Sequence, residues 1–482
     1  MKCKISFVVG VGMVALLAFG AMAQDVTRVP GGSHINGTEP QAAPRPAPDW
    51  VVPAGSVERS EDAGLRMHTN IVFRSLDGTN KPTHGESPAA LAAMDPLVTT
   101  VGRYEETPQS LGCIYLGSPS SAGCLPDYNS GAGGPSAAGW GAIAVVEAGD
   151  DSSFFNDMSA FDSYWGLPGA SLVKVEMRNS CSSTPDCSAF GWCAEDALDS
   201  EFAHVYASKA AIVMVEACSS STTDLLAAET EAFNYIATTY GGGTVSNSFG
   251  GGEFSTESSY DSLFTVFGNG DDGFPITAFA SAGDSGCGAA WPSSNPWLTS
   301  AGGTSIYRLT TTGHFKEEGC WSGSGGGVSS VETMGESTDY QYPMCGNDTS
   351  ACPGNPSNRL TPDFAFNSDP YSGVDLYQGS FYGGWTCCWG GTSEAAPSLA
   401  AVVDRSNNRL SSCYYNPFNG WCFYTNAENN LLYSQLPTFT EYKANFYDIT
   451  PATSDGVTNG CTVAKGWDYC TGVGSPRKLL GK

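Results

Sequence analysis

Four short runs of β-branched or apolar residues, Ile143 to Val146, Leu172 to Val175, Ile212 to Val215 and Ile276 to Ala280, recur in the chain after Thr107. Each has the length and density of a buried strand. Between the last two, Leu226, Phe233, Ile236, Ala237 and Tyr240 return at helical spacing. A second helical stretch starts near Glu195 and runs through His204, and a third follows Ser393 as Glu394-Ala-Ala-Pro397-Ser-Leu-Ala-Ala-Val-Val, with Pro397 read into its first turn. Alternating strands and helices predict an α/β fold, a mostly parallel sheet with helices on both faces, in one large domain. Such sheets place their sites at the carboxyl ends of the strands. No repeat of roughly 20–50 residues interrupts the pattern.

Upstream the pattern changes twice. Lys2 and Lys4 precede an apolar run from Ile5 to Phe19, and Ala21-Met22-Ala23 stands before Gln24. Residues 1–23 therefore read as a secretory signal peptide rather than an anchor, because the run is too short to span a bilayer. Residues 24–104 are rich in Pro, Gly and Ser with little periodicity, and read as a low-order leader or short pro-region. Residues 105–482 form the body. Removing Cys3 with the signal turns 17 cysteines into sixteen, an even number that suits disulfides in an exported chain. Cys113/Cys124, Cys413/Cys422 and Cys461/Cys470 are plausible close pairs, although spacing alone does not test bridge geometry.

Composition narrows the partners. Forty-nine acidic against 22 basic side chains leave a formal charge of −27, which disfavours nucleic acid and anionic lipid. The 41% hydrophobic content excludes a disordered acidic tail. Zinc and dithiol chemistry have no local signature, since neither Cys-x-x-Cys nor His-Glu-x-x-His occurs. Gly268-Asn-Gly270-Asp-Asp-Gly273 matches G-x-G-x-x-G, but it precedes a strand-like run and carries two aspartates that would repel a pyrophosphate. It reads as a surface turn.

Gly-Gly-Thr-Ser occurs at Gly302 to Ser305, before a strand-like run, and at Gly390 to Ser393, before a helix. A serine at a Gly-rich helix entry has little steric cover, and the helix amino end favours developing negative charge. Ser393 is thus either a nucleophile or a plain helix cap. The usual base would be histidine, yet His34, His68 and His84 fall in the leader, His314 in a turn, and only His204 in a promising helix. On that helix Glu195 and Asp199 share a face, whereas His204 points roughly 140° from Asp199 and reads as structural. Two carboxyls at i and i+4 are either a solvated face or, held in a cleft, a pair that shares a proton and can accept one from a serine. Asp284, in Ser281-Ala-Gly-Asp284-Ser-Gly286, is either an Asx turn or, when protonated, a donor to an oxyanion.

Taken in order, Glu106-Thr-Pro108, Glu195-Asp-Ala-Leu-Asp199, Ser248-Phe-Gly250, Ser281 to Gly286, Ala301-Gly-Gly-Thr304, Ser324-Gly-Gly-Gly327, Pro362-Asp363 and Gly391-Thr-Ser393-Glu-Ala-Ala-Pro397 resemble the sedolisins, serine-carboxyl peptidases with a subtilisin-like three-layer fold. The resemblance implies an acylating Ser393, Glu195 as its general base, Asp199 orienting Glu195, and Asp284 as oxyanion donor. It also implies one structural calcium ion, with Asp448 and Asp468 side chains and the Ile449, Ala464 and Gly466 carbonyls as ligands; two hard carboxylates beside a Gly-rich loop suit that cation. A disulfide-closed turn around Cys461 and Cys470 is the other reading of that region. Two departures stand out: Gly390 replaces the usual Ser, and the large folded propeptide of the family has no counterpart in residues 24–104. The function implied is a secreted, monomeric, acid-acting endopeptidase on protein or peptide substrates, with no membrane attachment after signal removal. A tripeptidyl-peptidase and a non-catalytic secreted binding protein are the alternatives.

Overall fold

The computed structural model describes residues 50–479, apart from 85–100, 104, 118–123, 126–136, 178–180, 182, 266–274, 310, 336–337, 342–356, 407–413, 417–420, 424–426, 437–438 and 455. The signal segment, the Gly268 to Gly273 turn and Cys413 lie outside the described residues. Four short strands open the structure, β1 (His68–Thr69), β2 (Val72–Phe73), β3 (Thr83–His84) and β4 (Val101–Gly102). Helix α1 (Pro108–Leu116) follows a reciprocal cap, in which Thr107 Oγ1 accepts from the Ser110 amide at 3.1 Å and Ser110 Oγ from the Thr107 amide at 2.8 Å.

All four apolar runs enter one sheet. Its members are β5 (Ala142–Ala148), β6 (Ser171–Glu176), β7 (Ala211–Ala217) and β8 (Gly243–Asn247), and, beyond the short strand β9 (Phe249–Gly252), β10 (Ile276–Ser281). After β11 (Ala290–Trp291) come β12 (Thr299–Leu309) and β13 (Phe315–Cys320), and the order across the sheet is β13-β12-β10-β8-β5-β7-β6. From β12 to β6 every pairing is parallel, and β13 closes the edge antiparallel. Helices α2 (Phe154–Trp165), α3 (Cys193–Tyr206) and α4 (Thr222–Tyr240) fill the crossovers. Period-two alternation sorts the side chains: Ile143, Val145, Ile212 and Met214 pack on the face that holds Leu198 of α3. Ala144, Val146, Val213 and Val215 pack on the other, with Leu226, Phe233 and Ile236 of α4.

The C-terminal half adds β14 (Gly327–Thr333), β15 (Asn358–Thr361), β16 (Phe364–Asn367), β17 (Val374–Gln378) and β18 (Gly384–Gly390), and then helix α5 (Thr392–Ser406). β16 joins β12 in parallel, whereas β17 and β18 form an antiparallel pair. α5 is buried from Thr392 to Asp404, so it is a central helix rather than a surface one.

Two expectations need correction. Residues 50–84 are not a loose leader: β1 pairs antiparallel with β9, β2 and β3 pair with β18, and Met67, Ile71, Val72 and Phe73 are buried. Strands of two residues are too short to leave a periodic signature, which is why this stretch reads as low-order. Cys113 does bridge Cys124, but Cys461 and Cys470 do not meet. Cys461 bridges Cys287 and Cys470 bridges Cys320, each tying the C-terminal loop to a different part of the body.

Candidate active site

The site is assembled where α3 and α5 start, beyond the carboxyl ends of β8 and β10. Ser393 is the second residue of α5, so Pro397 is the sixth and not in the first turn. This matters because Pro397 has no amide to give the Ser393 carbonyl, the i−4 acceptor. Ser248, just past β8, donates its hydroxyl there instead at 3.3 Å. Ser393 Oγ in turn donates to the Ser248 carbonyl at 3.1 Å. These contacts fix the hydroxyl at the helix amino end.

Glu195 and Asp199 lie one turn apart on α3 and are 1% and 0% exposed. Burial, and then the neighbouring Asp199 charge, push the Glu195 carboxyl well above its ordinary range, while the Ser393 hydroxyl pulls the other way. Burial likewise lifts Asp199 to about 8 against the opposing hydrogen-bonding influence of Ser248, Glu147 and Glu195. Glu195 stands near enough to Ser393 to feel its hydroxyl, yet neither carboxylate oxygen completes an aligned hydrogen bond in this state. Among the described residues no imidazole serves the serine: His204 Nε2 meets the Pro168 carbonyl at 2.7 Å and Asp162 at 3.3 Å, and His68 Nε2 faces Asp62 at 3.0 Å.

Two acids that carry no role in the sequence reading extend the cluster. Glu147, at the end of β5, and Asp196, beside Glu195, are both fully buried, and desolvation raises both well above the usual carboxylate range. The signal was legible for Glu147, an acid near the end of an otherwise apolar strand. Asp196 hides among the other acids of its helix.

Asp284 sits beyond β10, half-buried, with its pKa lifted by desolvation to about 8. Oδ1 accepts from the Thr392 amide at 2.8 Å and the Thr392 hydroxyl at 2.9 Å, which leaves Oδ2 without a partner. The Ser324-Gly-Gly-Gly327 block supports this loop from behind, since the Gly325 amide donates to the Gly283 carbonyl at 2.7 Å. A β-carbon on Gly325 would lie 1.8 Å from the Ala282 carbonyl oxygen, so only glycine permits that approach.

Asn70, between β1 and β2, lies directly on the serine. Its amide is 3.1 Å from Ser393 Oγ and 3.2 Å from the Ser248 carbonyl. Its own carbonyl accepts from the Ser393 amide at 2.9 Å, and its side-chain Nδ2 donates to Ser281 Oγ at 2.6 Å. With this segment in place Ser393 is 0% exposed.

At the candidate cation site the structure brings Asp448 and Asp468 to one loop. Asp448 Oδ1 accepts from the Gly466 amide at 2.8 Å and Asp468 Oδ2 from the Ala464 amide at 3.1 Å. Asp468 is nearly buried and is held by the Cys470 and Thr471 amides as well. Two close carboxylates on a Gly-containing turn fit a hard cation in donor chemistry. The loop turns amides toward them, and the Gly466 carbonyl accepts from Tyr442 Oη at 2.9 Å.

No protein-family profile matches the chain. Among curated proteins, kumamolisin from Bacillus sp. (strain MN-32) is 32% identical over 221 residues, 42% of this chain and 35% of the relative. Sedolisin from Pseudomonas sp. (strain 101) is 27% identical over 196 residues, 39% of this chain and 28% of the relative. The matches thus span about a third of the length of these relatives. Among solved structures, a Pseudomonas sedolisin, a serine-carboxyl proteinase complexed with two molecules of pseudo-iodotyrostatin, superposes with a TM-score of 0.55 at 21% identity. That superposition covers 78% of this chain and 96% of the other, and establishes the subtilisin-like fold.

Proposed function

This chain belongs to the sedolisin family, and from that premise we propose that it is a secreted serine-carboxyl endopeptidase that hydrolyses proteins in acid through an acyl-enzyme on Ser393. The observation that carries the proposal is a serine at a helix amino end facing buried Glu195 and Asp199, with His204 and His68 directed elsewhere.

In this mechanism Glu195 accepts the Ser393 proton as Oγ adds to the scissile carbonyl, and then returns it to the leaving amine. Asp199 holds Glu195 and shares a proton with it, so the pair keeps one ionised member over a range of pH. Protonated Asp284 donates from Oδ2 to the developing oxyanion, joined by the Ser393 amide and the amino end of α5. Activity rises as the Glu195/Asp199 pair gives up its first proton. It falls once Asp284 loses its own near pH 8. The working window is thus the one in which the pair has given up one proton while Asp284 keeps its own, and the casein pH profile locates its acid side.

The endopeptidase reading is favoured over a tripeptidyl-peptidase by the path of the chain's own segment. It continues from Asn70 through Thr69, His68 and Met67, with the Met67 amide donating to the Ser220 carbonyl at 2.9 Å, so an extended chain passes the serine for more than three residues on this side. Secretion is supported by the amino-terminal signal pattern and by the disulfides. A calcium ion on Asp448 and Asp468 would supply electrostatic stabilisation to the C-terminal loop. The test is casein hydrolysis across about pH 3 to 8 by wild type, Ser393→Ala and Glu195→Ala. Neutral-pH activity that survives Glu195→Ala would eliminate the carboxyl base.

A further inference from the structure

We infer that Glu229 of α4 is a positioning residue for the nucleophile: in its protonated form it closes a two-bond acid–amide pair with Asn247, and so fixes the Asn247-Ser248 turn on which Ser393 rests. This rests on the hydrolytic reading above and adds to it a residue that touches neither substrate nor serine.

Ser393 has its seat on Ser248. The Ser248 carbonyl accepts the Ser393 hydroxyl at 3.1 Å, and the Ser248 hydroxyl donates to the Ser393 carbonyl at 3.3 Å. Asn247, one residue earlier, is the last residue of β8 and lies opposite Ala280 of β10. Whatever holds Asn247 therefore holds the seat of the serine.

The Asn247 side chain, 1% exposed, reaches across the strand ends to do this. Its Nδ2 donates to the Phe279 carbonyl at 3.2 Å and to Glu229 Oε1 at 3.0 Å, which uses both amide hydrogens. Asn247 Oδ1 is left without a partner, and so is Oε2 of Glu229, a residue that is itself 1% exposed. Two orphaned oxygens on planar groups already joined by one bond complement each other once a single proton is present. An acid O–H on Glu229 donates to the amide oxygen, and every polar atom of both side chains is then satisfied. An ionised Glu229 gives the opposite result, two buried acceptors and an unpaired charge.

Among the described residues no charged side chain bears on Glu229 to keep it ionised. Leu226, Phe233 and Ile236 of α4 pack against the apolar face of the sheet, and β8 and β10 carry no titratable side chain. Glu147 of β5 and Glu216 of β7 share a register position and alternate with Ile143 and Ile212 onto the other face. On α4 itself, Asp224 accepts from Ser219 Oγ at 2.5 Å, and Glu231 is two residues on, roughly 200° around the helix. Burial accordingly raises the Glu229 carboxyl to about 8 against the opposing Asn247 bond. In acid the pair is closed and the turn is held by two bonds. As Glu229 ionises one of the two is lost, on the face of the sheet opposite the carboxyl dyad.

Three readouts on the full chain separate the pair from the chemistry. Infrared difference spectra of wild type minus Glu229→Gln, near pH 6, should show the carbonyl stretch of a protonated acid. Carboxylate bands in its place overturn the proposal whatever the activity. In a Ser393→Ala background, Glu229→Gln should lessen the fall in melting temperature between about pH 5 and pH 8 by about 4 °C, because glutamine offers the same donor and acceptor with no proton to lose. An unchanged fall also overturns it. On casein at about pH 4, Glu229→Leu should lower kcat by about 10- to 100-fold through a misplaced Ser393, whereas Glu229→Gln should stay within about twofold of wild type. Equal loss in both variants, or loss in neither, overturns the positioning role. The infrared band and the glutamine variant decide the matter even where the leucine variant does not fold. Wild type that leaves casein intact overturns the peptidase reading and the positioning role with it, while the spectra still decide the acid–amide pair.

Discussion

Asp284 offers a direct test of the buried-acid site through stability rather than turnover. Burial raises its carboxyl from 3.8 to about 8, so the folded protein holds a proton there that the unfolded chain gives up. The sign follows from that difference in bound protons. The contribution is complete below the unfolded value and is lost as pH rises toward the folded one, a window from about pH 4 to about pH 8. Within it each pH unit costs about 1.4 kcal/mol, and the loss between pH 4 and pH 6 comes to about 2.5 kcal/mol. The measurement is urea unfolding at those two pH values, in a Ser393→Ala background that removes the proposed nucleophile. Other buried acids tilt the curve in the same sense, so the readout is the change in slope on adding Asp284→Asn. That change should make stability between the two pH values less steep by about 1.2 kcal/mol per unit. Equal slopes with and without Asp284→Asn would mean that the carboxyl is already ionised in the fold, and the oxyanion-donor role would fall with it.

Three further outcomes can be checked independently. Asp284→Ala should lower kcat on casein by roughly 100- to 1000-fold, as expected for one lost oxyanion donor, and an effect confined to KM would contradict that role. Ser248→Ala should cost about 1–3 kcal/mol in urea unfolding, because the buried Ser393 carbonyl loses its donor. Adding Pro397→Ala restores a helix amide to that carbonyl and should recover most of the loss, whereas no recovery would reject the account of why Ser248 is there. EGTA should lower the melting temperature by roughly 3–6 °C if calcium binds at Asp448 and Asp468, and Asp468→Asn should abolish that response. Indifference of the wild type to EGTA would count against the cation.

What could be read from the sequence was set by the length scale of each signal. Ile143 to Val146 and its three counterparts are long enough to declare buried strands, and Glu195 and Asp199 sit on a helix whose geometry alone puts them on one face. Ser393, Glu195 and Asp284 converge because three separate elements end at the same edge of the sheet, which spacing along the chain does not encode. The two-residue strands β1 and β2 carry no periodicity, so the one segment that covers the serine reads as a leader. In hindsight Met67-His-Thr-Asn-Ile-Val-Phe73 is dense in β-formers, and that composition is the available clue. The partners of Cys461 and Cys470 were out of reach for a different reason: their bridges span separations of 174 and 150 residues, and only the fold brings those distant cysteines together.

The same physics that shapes the site also selects its working conditions. Glu147, Glu195, Asp196 and Asp199 are buried together, with desolvation the largest cause of each raised pKa. Charges so placed are tolerable only if protons occupy some of them, so acid here fills the interior rather than disrupting it. A buried neutral histidine in their place would behave in the opposite way, because acid would charge it and work against the fold. His204 faces Asp162, away from the serine. A carboxyl pair, the base proposed above, therefore suits an interior whose acids are held with their protons. On the proposed mechanism, the proton that lets Asp284 serve an oxyanion is one of those that stabilise the chain, so folding and chemistry would share their alkaline limit.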